Sequence, residues 1–448
     1  MKFLHRYAWL LPTLGLAGLT AGALATGGAR PAPKAHPKVK AAVAPASVTY
    51  AHDIAPILYR NCTVCHRAGE VAPFTLASYA DARKRARQIA LVTQGRVMPP
   101  WKADSHGEFQ DERRLTDGQI ALLQTWADKG TPEGKASQEP PVPHFPAGWA
   151  LGQPDMIVTP PRPYTVEAEG RDVYRCYVIP TDFAEDRYVS AVDVHPGNRA
   201  VVHHTLVYVD TGGTARRLEA KSQDGSPGYQ EGGGIGFLPA GMLGGWAPGS
   251  MARRLPADTG ILLPKGADIV LEVHYHKDGK PETDQTQVAL YFNQGVVARP
   301  MHIFPLANTH LRIPPGDKDY ALRASLPVIF DATLLTIFPH MHVLGRRMTV
   351  TATLPDGTTK PLIDVPDWDF NWQGFYAYKQ PVRLPAGSRV DLVAHYDNSE
   401  GNPRNPTSPP KLVAWGEQTT DEMCLCYLGF TVDAEHVHPP QQAARLPK

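Results

Sequence analysis

The hydrophobic pattern divides the chain into a short helical part and a longer part rich in strands. Between residues 48 and 135, apolar residues recur at helical spacing, first at Ile54–Leu58 and later at Ile120, Leu123 and Trp126. Residues at this spacing lie on one face of a helix and can pack against a shared core. The pattern therefore predicts a small all-α domain near the N-terminus.

Beyond residue 150 the spacing changes to short runs in which apolar and polar residues alternate. Clear examples, separated by Pro-Gly and Asp-Gly turns, are Val201–Val209, Ile269–His276, Met348–Leu354 and Val390–His395. A period of two is typical of strands with one buried face, and many short strands favour antiparallel sandwiches. Because one such sandwich uses about 100 residues, we predict two jelly-roll-like β-sandwich domains and a mostly β fold.

The first 25 residues have the features of an export signal. Lys2 and Arg6 are basic, Trp9–Leu24 is apolar, and Ala23-Leu24-Ala25 offers small residues for cleavage. The apolar run is shorter than the roughly 20 residues of a membrane span. We therefore predict a cleaved signal peptide at 1–25 and a periplasmic or secreted protein, with an uncleaved membrane anchor as the alternative.

Composition limits the classes of partner. The net charge is +1, which gives no reason to expect nucleic acid as a ligand. Forty-four prolines disfavour long helices. The oligomeric state cannot be read from the sequence.

Cys62-Thr63-Val64-Cys65-His66 is the pattern of covalent c-type haem attachment. The two thiols would form thioethers with the porphyrin, and His66 would ligate the iron. Met98, in a proline-rich loop, is the predicted second axial ligand, since His/Met is the usual cytochrome c pair. A zinc or redox-thiol site is the alternative for the cysteines, and a buried core side chain is the alternative for Met98.

Three other cysteines remain, Cys176, Cys424 and Cys426. One disulfide between Cys176 and either Cys424 or Cys426 is expected in an exported protein. The sequence does not choose between these pairings.

A second group of metal-binding residue types lies far downstream. His340 and His342 are two residues apart at the predicted beginning of a strand, so their imidazoles point to the same face. Met423 is available from another run. Imidazole with a thioether suits copper, and three protein ligands leave a position open for dioxygen.

The pair His203-His204 needs a different geometry, since neighbours on a regular strand point to opposite faces. A bulge or a strand end is therefore required if both are to hold one metal. His274 or His276 can supply a third imidazole. The alternative for any single histidine is an ordinary hydrogen-bonded residue.

These motifs resemble those of the copper type II, ascorbate-dependent monooxygenases, which include the peptidylglycine α-hydroxylating and dopamine β-hydroxylating enzymes. The resemblance covers roughly residues 150–435. It is carried by the segments His203-His204, Val273-His274-Tyr275, Pro339-His340-Met341-His342 and Asp421-Glu422-Met423-Cys424. The N-terminal part separately resembles cytochrome c.

The resemblance implies two copper sites facing each other across a solvent cleft between the two sandwiches. His203, His204 and His274 match the electron-transfer copper, with His274 preferred over His276. His340, His342 and Met423 match the copper that activates dioxygen. Tyr427 is retained and is a candidate substrate contact.

Two departures concern substrate recognition. Peptide-amidating members carry an Arg two residues before the first His of the H-x-H motif, and an Asn two residues after the ligand Met. This chain has Phe338 and Leu425 at those places. A hydrophobic pair does not bind a peptide carboxylate. We therefore expect a neutral or aromatic small molecule rather than a peptide ending in glycine.

The sequence thus predicts an exported copper monooxygenase with two coppers, one covalent haem, and ascorbate or an electron donor protein as reductant. The alternative is a non-catalytic periplasmic haem and copper protein for electron transfer or copper binding. The predicted divisions are a signal peptide (1–25), a disordered linker (26–47), a cytochrome c-like domain (48–135), a linker (136–150), N-terminal (151–296) and C-terminal (297–435) copper domains, and a tail (436–448).

Overall fold

A computed structural model describes residues 48–70, 72–145, 148–231 and 234–436. The predicted signal peptide and disordered linker lie outside the described residues, as does the predicted tail beyond residue 436. Within these ranges no helix is both long enough and apolar enough to cross a membrane.

The helical part begins with one turn of π-helix, Tyr50–Ile54, followed by three helices: α1 (Ala55–Asn61), α2 (Tyr79–Gln94) and α3 (Asp117–Asp128). Ser78 caps α2 by accepting a hydrogen bond from the Asp81 amide. Thr116 and Gln119 form a capping box at the start of α3, which satisfies two backbone N–H groups. The helices share a core that contains Trp126, which is fully buried.

The rest of the described chain contains twenty-one strands and one further helix, α4 (Thr214–Lys221). The strands of the N-terminal half are β1 (Met156–Val158), β2 (Tyr164–Val166), β3 (Val173–Pro180), β4 (Arg187–His195), β5 (Val202–Asp210), β6 (Tyr229–Glu231), β7 (Gly241–Trp246), β8 (Thr259–Leu263), β9 (Asp268–Tyr275), β10 (Glu282–Asp284) and β11 (Gln287–Phe292). Those of the C-terminal half are β12 (Arg299–Ala307), β13 (Arg312–Ile313), β14 (Tyr320–Pro327), β15 (Ala332–His340), β16 (Gly345–Thr353), β17 (Thr359–Val365), β18 (Tyr376–Leu384), β19 (Arg389–Tyr396), β20 (Val413–Ala414) and β21 (Leu425–Val432). The predicted mostly β fold is confirmed.

Each half is a sandwich of two sheets. In the N-terminal half, a five-stranded sheet in the order β6-β3-β9-β5-β7 packs on strands β1, β11, β4 and β8. In the C-terminal half, a four-stranded sheet in the order β14-β19-β16-β17 packs on β12, β21, β15 and β18. Alternate apolar residues of both layers fill each core, as the period of two predicted.

The two sandwiches share one sheet. Strand β8 pairs with β12 in parallel, and this joins the two four-stranded layers into one eight-stranded sheet. The sequence placed a domain boundary at residue 296, between β11 and β12. The sheet is continuous across that boundary, so the halves are connected by backbone hydrogen bonds as well as by the chain.

The predicted disulfide is wrong, because the thiols are free and lie in different cores. Cys176 packs in a small cluster with Tyr229 and Val270, whereas Cys424 and Cys426 lie in the core of the C-terminal sandwich. Burial raises the pKa of Cys424 to about 11, so this thiol is protonated and unreactive at neutral pH.

Candidate metal centres

Three imidazoles come together on the adjacent strands β5 and β9. His204 is the register partner of His274, and the pairing of the two strands is irregular between Val202 and His204. That irregularity is the bulge which two neighbouring histidines need in order to reach the same side. One ring nitrogen from each of His203, His204 and His274 lies within 4.8 Å of the others.

The Nδ1 atoms are the ones that converge. The Nδ1 atoms of His203 and His204 are 3.1 Å apart, and those of His204 and His274 are 3.4 Å apart. Burial lowers the pKa of His203 and His204 well below the ordinary value, and the neighbouring imidazoles lower it further. The rings are therefore neutral at neutral pH, which is the state that binds a metal.

Asp172 orients the third imidazole and also explains the place of His276. His274 Nε2 lies 3.2 Å from Asp172 Oδ2, which leaves Nδ1 free for a metal. His276 Nδ1 lies 3.0 Å from the other carboxylate oxygen. The side chain of His274 is 1% exposed and that of His276 is 60% exposed. Of the two alternatives, the structure brings only His274 into the cluster.

The second set lies where β15 ends. The sequence predicted that the H-x-H motif begins a strand, but His340 is the last residue of β15 and His342 lies in the turn that follows. His340 Nδ1 lies 2.6 Å from Gln373 Oε1, and His342 Nδ1 donates to the Asp421 carbonyl at 3.1 Å. Both Nε2 atoms are thus left for a metal. Met423 is buried and lines the same cavity as these two imidazoles.

Glu422 holds the H-x-H turn against the segment that carries Met423. Its carboxyl accepts hydrogen bonds from the amides of His342 at 2.8 Å, Leu344 at 2.7 Å and Met423 at 3.0 Å. Burial raises the pKa of Glu422 to about 8, and the amide donors oppose that shift. The sequence showed Glu422 only as part of a motif, because two of its three partners, His342 and Leu344, lie 80 and 78 residues away.

Both sets of ligands reach one cavity of about 250 Å³, which is lined by His204 from the first set and by His340, His342 and Met423 from the second. The ring centroids of His204 and His340 are 6.1 Å apart, and Phe370 lies between His203 and His342. The resemblance implied an open cleft between the two sites. In this structure the two sets are neighbours in a common pocket.

Three parallel rings form one wall of the cavity. Phe338 stacks on Phe375 with centroids 3.9 Å apart, and on Tyr427 with centroids 5.9 Å apart. We call Tyr427, Phe338 and Phe375 the aromatic column. Leu425 lines the same cavity. Both departures noted in the sequence therefore lie in the wall, and no Lys or Arg among the described residues lines this cavity.

Two acids, the buried Glu272 and the half-buried Glu417, line the same cavity. Glu272 is 2% exposed, and its Oε2 has no hydrogen-bond partner among the described residues. Burial, followed by the charge of Glu417, raises the pKa of Glu272 to about 8. Burial, followed by the charge of Asp421, raises the pKa of Glu417 to about 7. The sequence analysis missed both, since no local motif marks a carboxyl that faces a cavity.

The cysteine motif lies in one turn after α1. The His66 amide donates to the Cys62 carbonyl at 2.8 Å, which keeps the two thiols and the imidazole together. His66 Nδ1 donates to the Phe74 carbonyl at 3.1 Å and leaves Nε2 for iron. This donor set fits a covalent haem, and the binding of haem remains a prediction.

Met98 lies in the loop after α2. It lines a cleft with Trp101 and Ile120, and neither cysteine of the motif nor His66 belongs to the described lining of that cleft. The second axial ligand therefore also remains a prediction.

The comparisons with known proteins point to one family. Residues 302–440 match the model of the C-terminal domain of copper type II ascorbate-dependent monooxygenase. The chain is 24% identical over 258 residues to DBH-like monooxygenase protein 2 of Mus musculus, covering 52% of this chain and 38% of that protein. It is 24% identical over 275 residues to DBH-like monooxygenase protein 1 of Homo sapiens, covering 55% of this chain and 42% of that protein. These matches support kinship with the copper type II monooxygenases, although the chain spans only about two fifths of either relative.

Solved structures are less informative. Peptide: N-glycanase F aligns with 63% of this chain and 98% of its own length, at a TM-score of 0.30 and 10% identity. The major capsid protein P2 of Bacteriophage PM2 aligns with 62% and 97%, at a TM-score of 0.23 and 10% identity. Scores this low indicate neither a shared fold nor a shared function.

Proposed function

We propose that the protein is a copper-dependent monooxygenase that hydroxylates an aliphatic C–H bond of a small molecule. The overall reaction is RH + O₂ + 2e⁻ + 2H⁺ → ROH + H₂O. The observation that carries the proposal is a cluster of three histidines whose member His204 lines the same cavity as the second set, His340, His342 and Met423.

The ligand roles follow the donor sets. His203, His204 and His274 would hold one copper through Nδ1, and His340 and His342 would hold the other through Nε2 together with the Met423 sulfur. Bound copper supplies the redox chemistry with dioxygen, which the side chains of this cavity lack. The soft thioether stabilises the reduced metal.

The remaining side chains position these ligands and the substrate. Asp172 fixes the orientation of His274, Gln373 that of His340, and Glu422 the distance between His342 and Met423. Such supporting groups set metal affinity as strongly as the ligands themselves.

The cavity wall argues against a peptide ending in glycine as substrate. The aromatic column and Leu425 offer apolar contacts and no cation for a carboxylate. Tyr427 is the candidate for a direct substrate contact. A substrate whose reacting end is apolar or aromatic fits this wall.

The haem motif is proposed to deliver electrons to the three-histidine copper. Glu70, four residues after His66, forms a 2.8 Å ion pair with Arg199, four residues before His203. This contact ties the predicted haem turn to the strand that carries the copper ligands. Ascorbate, which the family description names, or a donor protein would supply the same two electrons.

The predicted export signal accords with this scheme. Covalent attachment of c-type haem takes place outside the cytoplasm. We therefore propose a periplasmic or secreted location, with the signal peptide removed.

Metal analysis tests the ligand sets. We expect two coppers per chain, of which His203→Ala removes one and His340→Ala the other. The visible absorption spectrum of the Cu(II) protein is equally informative. An intense blue band would indicate that a thiolate binds copper, and it would favour a non-catalytic copper carrier.

Stopped-flow spectroscopy tests the electron path. When the reduced protein is mixed with dioxygen and substrate, its haem should be oxidised at the rate of turnover. Haem that stays reduced through many turnovers would exclude the relay and leave ascorbate as the direct donor.

A further inference from the structure

A second cavity, which we call the outer chamber, lies in the same cleft. It also measures about 250 Å³. Its walls come from the shared eight-stranded sheet, from β7 and from the loop at residues 250–256. Apolar side chains dominate it, with Leu243, Ile261 and Met301 as examples.

The outer chamber continues the copper cavity along the same strands. On β12, Met301 and Ile303 line the outer chamber while Pro305 and Ala307 line the copper cavity. Alternate residues of a strand face the same side, so these four side chains follow one another along a single groove. On β7, Gly245 belongs to the outer chamber and Trp246 to the copper cavity.

Phe375 is the partition between the two cavities. It lines both of them, and it is the end ring of the aromatic column. Thr336 faces the outer chamber, and Phe338, two residues further on β15, faces the copper cavity. Phe375 is the one residue that the described linings of the two cavities share, and we therefore treat its side chain as the partition between them.

The charged groups of the two cavities have opposite signs. Every charged side chain that lines the outer chamber in the described structure is basic: Arg253, Arg254 and Lys379. Arg253 is paired with Asp111 at 2.6 Å. Arg254 donates to Ser190 Oγ at 3.3 Å and lies over the ring of Tyr291, and neither Arg254 nor Lys379 has a carboxylate partner among the described residues.

The copper cavity has the acids Glu272 and Glu417 and no basic side chain among its described lining. In the metal-free protein, an anionic group placed there would lie beside two acids and no basic side chain, which is strongly unfavourable. The outer chamber instead offers Arg254 and Lys379, two exposed cations without a carboxylate partner among the described residues, and either of them can meet the group near solvent.

We propose that the outer chamber binds the anionic end of the substrate, and that the substrate is an elongated apolar molecule with a carboxylate or similar group at one end. This inference rests on the proposed function. The apolar end passes Phe375 and presents its C–H bond to the copper cavity. Phe375 then determines specificity, because its ring sets how much of the substrate passes the partition.

Calorimetric titration of the full-length, metal-free protein tests the ligand class. Octanoate, octan-1-ol and octylamine share an eight-carbon chain and differ in the charge of the head group. We expect octanoate to bind most tightly and octylamine least. Tightest binding of octylamine, or equal binding of all three, would overturn the assignment.

Charge variants locate the head group. Arg254→Gln combined with Lys379→Gln should weaken octanoate binding about tenfold and leave octan-1-ol unchanged, since partly exposed charge-assisted hydrogen bonds contribute about 1.4 kcal/mol. Lys318→Gln, at an exposed position outside both cavities, is the matched control. An unchanged affinity for octanoate in the double variant would refute the site.

Variants that change the volume of the outer chamber test where the alkyl chain of the ligand binds. Ala377→Trp fills the outer chamber and should abolish binding of all three ligands, whereas Ala321→Trp on the exposed face of β14 should not. If the Trp variant does not fold, Ala377→Leu should still weaken binding severalfold. Phe375→Ala should join the two cavities and so tighten the binding of dodecanoate relative to octanoate. An unchanged ratio of the two dissociation constants would show that Phe375 is not the partition. All these measurements use protein without copper, so failure of the proposed oxygen chemistry would not mimic failure of this binding site.

Discussion

Replacing Glu422 by Ala is expected to destabilise the metal-free protein severely. The substitution leaves three amides, those of His342, Leu344 and Met423, without their buried acceptor. An unsatisfied buried N–H costs about 1–3 kcal/mol. Removing a buried carboxyl relieves part of that cost, so we expect a net loss of about 3–5 kcal/mol, against a total stability of about 5–15 kcal/mol for an ordinary domain.

Urea unfolding of the metal-free protein, followed by tryptophan fluorescence, measures the loss as a change in midpoint at constant slope. Glu422→Gln should be intermediate, because the amide oxygen still accepts while the NH₂ group faces other donors. Copper analysis of the same variants should show weakening by about 10–100-fold at the Met423 site alone.

Glu400→Ala is the matched control, since Glu400 is exposed. The reasoning fails if Glu422→Ala unfolds within about 0.5 kcal/mol of this control, the range of an ordinary surface substitution. It also fails if Glu422→Ala and Glu422→Gln both bind copper at the Met423 site with unchanged affinity.

Further predictions concern the supporting groups and the thiols. Asp172→Asn should weaken copper at the three-histidine site by about 10–100-fold and leave the Met423 site intact, as measured by competition with a chelator. The pKa of Glu417 is raised to about 7, so the folded state binds a proton that the unfolded state has released, and the unfolding free energy of metal-free protein should fall as pH rises from about 4.5 to 7. Glu417→Gln should flatten that decline, and an identical profile in the variant would assign it to other groups. Titration of thiols in the denatured protein should give five reactive groups without haem, and three once Cys62 and Cys65 form thioethers. Adding a reductant should not raise either count, because the five cysteines are free in the structure.

The sequence was most informative where local pattern determines structure. The apolar spacing of Ile120, Leu123 and Trp126 predicted the helix that the structure places at Asp117–Asp128. The spacing His340-x-His342 and the need for a bulge at His203-His204 were also readable, since strand geometry relates neighbouring side chains.

Contacts between residues far apart in the sequence could not be predicted. Asp172 reaches His274 from 102 residues away, and Glu422 reaches the His342 amide from 80 residues away. The cysteine count allowed a disulfide but gave no sign that Cys176 and Cys424 belong to separate cores. The outer chamber depends on how two sandwiches meet, which no single run of residues records.

The parallel pairing of β8 with β12 also has a mechanical consequence. Because the inner layers of both sandwiches belong to one hydrogen-bonded sheet, the two sandwiches cannot rotate apart without breaking backbone hydrogen bonds. The two sandwiches are then held together by this pairing of two residues from each strand as well as by the connecting chain. Opening of the pocket must come from side chains and loops, and the two halves should unfold as one cooperative unit.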